Sequence, residues 1–220
     1  MNVLLFGATG MVGQGVLREC LLDPDVQVVQ TVGRTASGVQ HAKLREIVQE
    51  DFYKNSSVDA DWSGFDACFF CLGVSSAGMK EADYERVTYG ITLAAAEILS
   101  RLNPQMTFIY VSGAGTDSTE HGRSMWARVK GKTENALLRL PFQAAYMFRP
   151  GFIQPLHGVR SKTTAYRVLY AVSKPLTPLL RLAWPNFILS TEEIGRAMLV
   201  VAKRGAPKRI LESRDIRAVN

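Results

Sequence analysis

Residues 2 to 13, Asn-Val-Leu-Leu-Phe-Gly-Ala-Thr-Gly-Met-Val-Gly, constrain the fold more than any other stretch. Val3 to Phe6 is an unbroken apolar run, the pattern of a strand buried on both faces. It stops at Gly7, and glycines return at Gly10 and Gly13 just as helical periodicity begins. Strand, glycine turn and helix in that order are the context of a dinucleotide-binding loop. Gly7 permits the tight turn, Gly10 lets backbone approach a pyrophosphate, and Gly13 lets the helix pack on the sheet. The helix start presents unpaired N–H groups and a positive dipole end to phosphate. Gly7, Thr9, Gly10, Met11 and Val12 are therefore the expected cofactor contacts.

Strand and helix patterns alternate along the 220 residues. Strands are expected at Val26 to Val32, Leu44 to Val48, Phe65 to Leu72, Met106 to Val111, Ala144 to Phe148 and Arg209 to Leu211. Helices are expected at Met11 to Leu22, Tyr84 to Leu102, Ser124 to Leu140, Thr163 to Ser173 and Glu192 to Lys203. That alternation predicts an α/β fold, a Rossmann-like, doubly wound and mostly parallel sheet. No repeat, low-complexity tract or linker divides the chain, so residues 1–220 read as one domain. A segment at about 152–190 is expected to close over a substrate.

Ligands of such folds lie beyond the carboxyl ends of the strands. The second strand ends at Gly33-Arg34, with no acidic residue to hold a ribose 2′-hydroxyl. Arg34 instead suits a 2′-phosphate, which favours NADPH over NADH. Asp51 and Phe52 follow the third strand and suit the adenine, although an Asp there also fits a plain cap or turn. Leu72 and Gly73 follow the fourth strand, where glycine lets backbone lie against the cofactor. Pro150 follows Arg149 at the end of the sixth and fits an approach to the nicotinamide.

Two residues carry the expected proton chemistry. Ser112 ends the fifth strand, placed to polarise a carbonyl or to make a turn. Lys130 lies on the following helix, suited to the nicotinamide ribose hydroxyls. A Tyr-x-x-x-Lys pair there would share one helix face, the ammonium lowering the phenol pKa. This chain has Trp126 in place of the tyrosine, and an indole N–H is no acid near neutral pH. Two functions follow. One is an NADPH-dependent oxidoreductase that finds its proton elsewhere, through Ser112 and Lys130. The other is an inactive NADP(H)-binding regulator or redox sensor.

The net charge of +6 is concentrated between Glu134 and Glu192, which holds seven basic residues, Arg149 among them, and no acidic one. These are interleaved with apolar residues and form no Lys/Arg run, so an anionic small ligand is expected and nucleic acid is not. A peripheral membrane contact of the 152–184 region is the less favoured alternative. Cys68 and Cys71 form a Cys-x-x-Cys within a strand, where an offset of three turns the side chains to opposite faces. A redox or zinc role is therefore not expected, and no metal site is. Three cysteines, no secretory leader pattern and no apolar run long enough for a bilayer lead to an expected cytoplasmic location.

Taken together, Gly7-Ala8-Thr9-Gly10 with Gly13, Val32-Gly33-Arg34, Val129-Lys130-Gly131, Phe148-Arg149-Pro150-Gly151 and Ile210-Leu211-Glu212-Ser213 resemble the atypical short-chain dehydrogenase/reductases. The likeness is to the group of the HIV Tat-interacting oxidoreductase, in a bacterial-type form. It implies a Rossmann fold, NADPH binding and an unassigned small-molecule substrate.

Overall fold

The apolar run that opens the chain forms β1 (Asn2–Phe6). Val3 and Leu5 enter one core cluster and Leu4 and Phe6 the other, as alternation along a strand requires. The structure is a computed structural model that describes residues 1–48, 62–159 and 187–220. Among these, β1 pairs in parallel with β2 (Val28–Gly33) on one side and β4 (Ala67–Phe70) on the other. β3 (Leu44–Val48) extends the sheet beyond β2. β5 (Thr107–Val111), β6 (Ala144–Arg149) and β9 (Ile210–Glu212) extend it beyond β4. The order β3-β2-β1-β4-β5-β6-β9, parallel throughout, is the doubly wound Rossmann arrangement in a single domain. It opens a crevice at the carboxyl ends of β1 and β4, where the strand order reverses.

Helices cover both faces. α1 (Met11–Leu22) lies on the first face beside a later helix spanning Thr191–Arg204. Val16, Leu17 and Cys20 there meet Ile194, Met198 and Val201. On the second face, a helix starts as α2 (Glu81–Glu85), passes through a π-helical turn (Arg86–Gly90) and continues as α3 (Ile91–Leu102). α4 (Met125–Leu138) packs beside it. Beneath them Phe6, Phe70, Phe108 and Phe142 stack in a row, with centroids 5.0, 5.9 and 5.0 Å apart. Phe6, Phe70 and Phe108 lie on adjacent strands and are fully buried, each contributing about 1.5–3 kcal/mol, while the half-buried Phe142 caps the row from the loop before β6.

Beyond β6, β7 (Phe152–Gln154) pairs in parallel with β8 (Ile188–Ser190) in a separate small sheet. Then follows α5, the Thr191–Arg204 helix, and after β9 comes α6 (Ser213–Ala218). Ser190 and Glu193 form a reciprocal cap on α5, with hydrogen bonds of 3.0 and 2.6 Å. The helix expected over Thr163 to Ser173 and most of the expected closing segment lie outside the described residues.

Candidate functional site

Gly7 adopts φ +80°, and a Cβ there would stand 2.7 Å from the Cys71 carbonyl and the Leu72 nitrogen. Only glycine lets the end of β1 pass the end of β4 so closely. The Gly10 N–H donates to the Gly7 carbonyl at 2.9 Å and closes the turn. A Cβ on Gly13 would fall 2.0 Å from that carbonyl, so the first turn of α1 is seated directly on the loop. Gln14 Nε2 donates to the Thr9 carbonyl at 3.1 Å and braces it. Gly10 is the N-cap of α1 with no side-chain cap. The N–H groups of Met11, Val12 and Gly13 thus lack intrahelical acceptors.

The neighbouring strand ends leave room. Gly73 and Gly113 have nothing within 4 Å of where a Cβ would be. Leu72 packs against the second core cluster. The Pro150 carbonyl accepts from the Ala114 N–H at 2.9 Å, tying the end of β6 to the loop after β5. Arg34 is exposed, just past the end of β2, with no ion-pair partner among the described residues. Its loop is anchored by Glu46 Oε1, which accepts from the Ser37 N–H at 2.7 Å and the Thr31 hydroxyl at 3.3 Å. Asp51 and Phe52 lie outside the described residues. A bare helix start and glycine-lined strand ends fit a dinucleotide lying across the crevice.

Ser112 and Lys130 are brought together: Lys130 Nζ donates to the Ser112 carbonyl at 2.6 Å. Burial lowers the Lys130 pKa to about 8, with the Glu134 charge opposing the shift. Trp126, one turn earlier on α4, rests its indole near Gly115. The Ser112 hydroxyl faces the Glu134 carboxylate at 2.5 Å and the Phe148 carbonyl at 3.1 Å. Glu134 is fully buried and is gripped by Arg149, whose Nε reaches its two oxygens at 3.0 and 3.2 Å and whose Nη2 also donates to it. Arg149 further meets Ser118 Oγ at 2.6 Å and Glu212 at 3.4 Å.

Arg149 therefore corrects one expectation. Its guanidinium is turned into a buried ion pair rather than toward an anionic ligand, because a charge nine-tenths buried needs a counter-charge. Glu134 went unnoticed in the sequence, where it is one carboxylate on an ordinary helix. A signal was available: it stands one turn after Lys130, and no acidic residue follows until Glu192. Cys68 and Cys71 enter opposite core clusters. Both thiols are free, and burial pushes their pKa values up. Among the described residues no His, Cys, Asp or Glu cluster could hold a metal. No helix among them is long and apolar enough to cross a membrane.

No family model matches the chain. It is similar to the mitochondrial protein FMP52-2 of Scheffersomyces stipitis, 29% identical over 69% of this chain and 66% of that one. The mitochondrial protein FMP52 of Meyerozyma guilliermondii is 24% identical over 92% of this chain and 85% of that one. Rat HTATIP2 is 27% identical over 69% of this chain and 62% of that one. The match thus spans just under two thirds of the first and third of these relatives. Two solved structures show the fold. Bordetella bronchiseptica WbmF, solved with NAD+, superposes with a TM-score of 0.68 at 16% identity, over 99% of this chain and 76% of its own. The short-chain dehydrogenase/reductase YIR035C of Saccharomyces cerevisiae superposes with a TM-score of 0.67 at 15% identity, over 99% and 97%.

The chain has the fold of the short-chain dehydrogenase/reductases, and it is similar in sequence to FMP52 and HTATIP2 proteins. The cytoplasmic expectation is overturned by the FMP52 relatives, which are named as mitochondrial proteins. It had rested on cysteine count and the lack of a secretory pattern, which cannot distinguish cytosol from another reducing compartment. These relatives, fungal and mammalian, lend the bacterial-type expectation no support.

Proposed function

We propose that this chain is an NADPH-dependent oxidoreductase of the atypical short-chain dehydrogenase/reductase type, reducing a carbonyl of a small molecule. The observation that carries the reading is the glycine-built crossing of β1 and β4 beside an uncapped α1, in the crevice of a doubly wound sheet. Gly7, Thr9, Gly10, Met11, Val12, Leu72, Gly73 and Pro150 would border the cofactor there, with Lys130 toward its nicotinamide ribose. A nicotinamide, when bound, supplies hydride. Arg34, exposed and free of a counter-charge among the described residues, is the group that would prefer a 2′-phosphate. HTATIP2 and FMP52 likeness supports the type, and the NAD+ held by WbmF supports the cofactor class.

Calorimetry with NADPH and NADH on wild type and Arg34→Ala tests this. Loss of a charged phosphate contact should cost about 1.5–3 kcal/mol, a drop of roughly 10- to 150-fold in NADPH affinity with NADH affinity little changed. An unchanged ratio between the two cofactors would remove Arg34 from the site, and failure to bind either would overturn the reading.

Trp126 favours a second reading, a regulator that binds NADP(H) without turnover. No oxidation of NADPH with any of a panel of aldehydes, ketones and quinones, alongside tight binding, selects it.

A further inference from the structure

The Glu134–Arg149 ion pair explains why Arg149 is tolerated in the interior, but it does not explain why Ser112 points at the same carboxylate. The Ser112 hydroxyl has one hydrogen, and its two near neighbours, Glu134 Oε1 at 2.5 Å and the Phe148 carbonyl at 3.1 Å, can only accept it. A charged acceptor outcompetes a neutral one, so that hydrogen lies toward Glu134. Toward the crevice the serine then offers lone pairs alone and cannot donate to a substrate oxygen. Lys130, one helical turn before Glu134, spends one N–H on the Ser112 carbonyl and keeps two. Among the described residues, two titratable groups lie near its ammonium. One is Glu134 on its own helix. The other is Tyr110 of β5, whose ring centre is 5.8 Å away and whose phenol is kept neutral by burial.

We infer that Glu134 is a positioning residue of this site, taking the Ser112 hydrogen for itself and holding the Lys130 ammonium, so that a carbonyl substrate draws its proton from Lys130. The inference rests on the reductase reading above. With a nicotinamide bound to supply hydride to the carbonyl carbon, the C=O π pair would take its proton from Nζ. An O–H bond forms, an N–H bond breaks, and its electron pair stays on the amine, which then regains a proton from water. The step uses Lys130 where a Tyr-x-x-x-Lys enzyme would use the phenol that Trp126 replaces.

The test is the titration of Lys130 in the full chain, labelled with 13C-lysine and followed by NMR, its signal assigned by its loss in Lys130→Met. Replacing Glu134 by Gln should lower the Lys130 midpoint by about one unit, and Glu134→Asp should bring it back toward wild type. Glu134→Gln leaves Arg149 buried without a counter-charge. The double variant Glu134→Gln/Arg149→Met, which removes both charges, is therefore measured too and should show a smaller downward shift, because losing the Arg149 cation favours the ammonium. A Lys130 midpoint unmoved in either folded variant overturns the inference. NADPH titration of the wild-type sample is scored separately: absence of binding there sinks the cofactor reading, whereas the Lys130 shift speaks to Glu134 alone.

Discussion

Trp126 and Lys130 stand one turn apart on α4, and the chemistry open to the chain depends on what each can do with a proton. An indole N–H gives none up near neutral pH. Lys130, its pKa lowered to about 8 by burial, is an acid close to the working range. If its ammonium supplies the proton, the competent form is the protonated one. NADPH oxidation should then be level below pH 8 and fall tenfold per unit as pH rises well past it, in a profile measured at saturating cofactor. A flat profile to pH 10 would point to a different donor. Restoring the phenol by Trp126→Tyr should raise kcat by about tenfold or more, since a placed general acid contributes roughly 10²–10⁴-fold. Residues whose task is set by local backbone were legible in the sequence. Gly7 and Gly13 announced themselves because a Cβ at either would collide with neighbouring backbone. The Ser112–Glu134–Arg149 arrangement did not, because β5, α4 and β6 meet only after folding, and nothing local says which carboxylate a buried arginine will find.

Glycines also decide how elements meet. Gly15 on α1 and Gly195 on α5 lie where the two helices cross. A Cβ on Gly15 would stand 2.6 Å from the Thr191 side chain and 2.8 Å from its carbonyl, and one on Gly195 would stand 2.8 Å from Glu19 Cγ. In an exposed helix Gly→Ala stabilises by about 0.8–1.0 kcal/mol. Here the backbone of α5 blocks the methyl, and overpacking costs about 1–3 kcal/mol. Gly15→Ala should therefore lower stability in a urea titration and change the NADPH dissociation constant less, because a methyl there points at Thr191 rather than at the glycine loop. A more stable variant would mean the helices can separate at no cost. Long, regular elements such as α1 and β3 were readable from periodicity, with the same bounds as observed. The π-helical turn at Arg86–Gly90 was not, since one extra residue in a turn barely disturbs an apolar stripe. β7 and β8, three residues each, are too short for alternation to register.

At the scale of the whole molecule, β1 sits between β2 and β4, so its carboxyl end is shared by the two halves of the sheet. A dinucleotide seated on Gly7–Gly13 would touch the β1–β3 half through Arg34 and the β4–β6 half through Gly73 and Pro150. Such a ligand binds only the assembled domain, and its binding free energy adds to folding stability. With NADPH at a hundred times its dissociation constant, the gain is about 2.7 kcal/mol. For a domain of this size each kcal/mol raises Tm by roughly 2–4 °C, so the expected rise is about 5–10 °C. NADH at the same concentration should raise Tm less, by the margin that Arg34 supplies, and Arg34→Ala should bring the two cofactors together. The basic excess between Glu134 and Glu192 sharpens the comparison, because inorganic phosphate or duplex DNA at matched phosphate concentration would share any merely electrostatic effect. A scan in which phosphate or DNA raises Tm as much as NADPH does would show attraction to charge in general. A rise confined to the dinucleotides, and larger for NADPH, would show a site that recognises both the pyrophosphate and the 2′-phosphate.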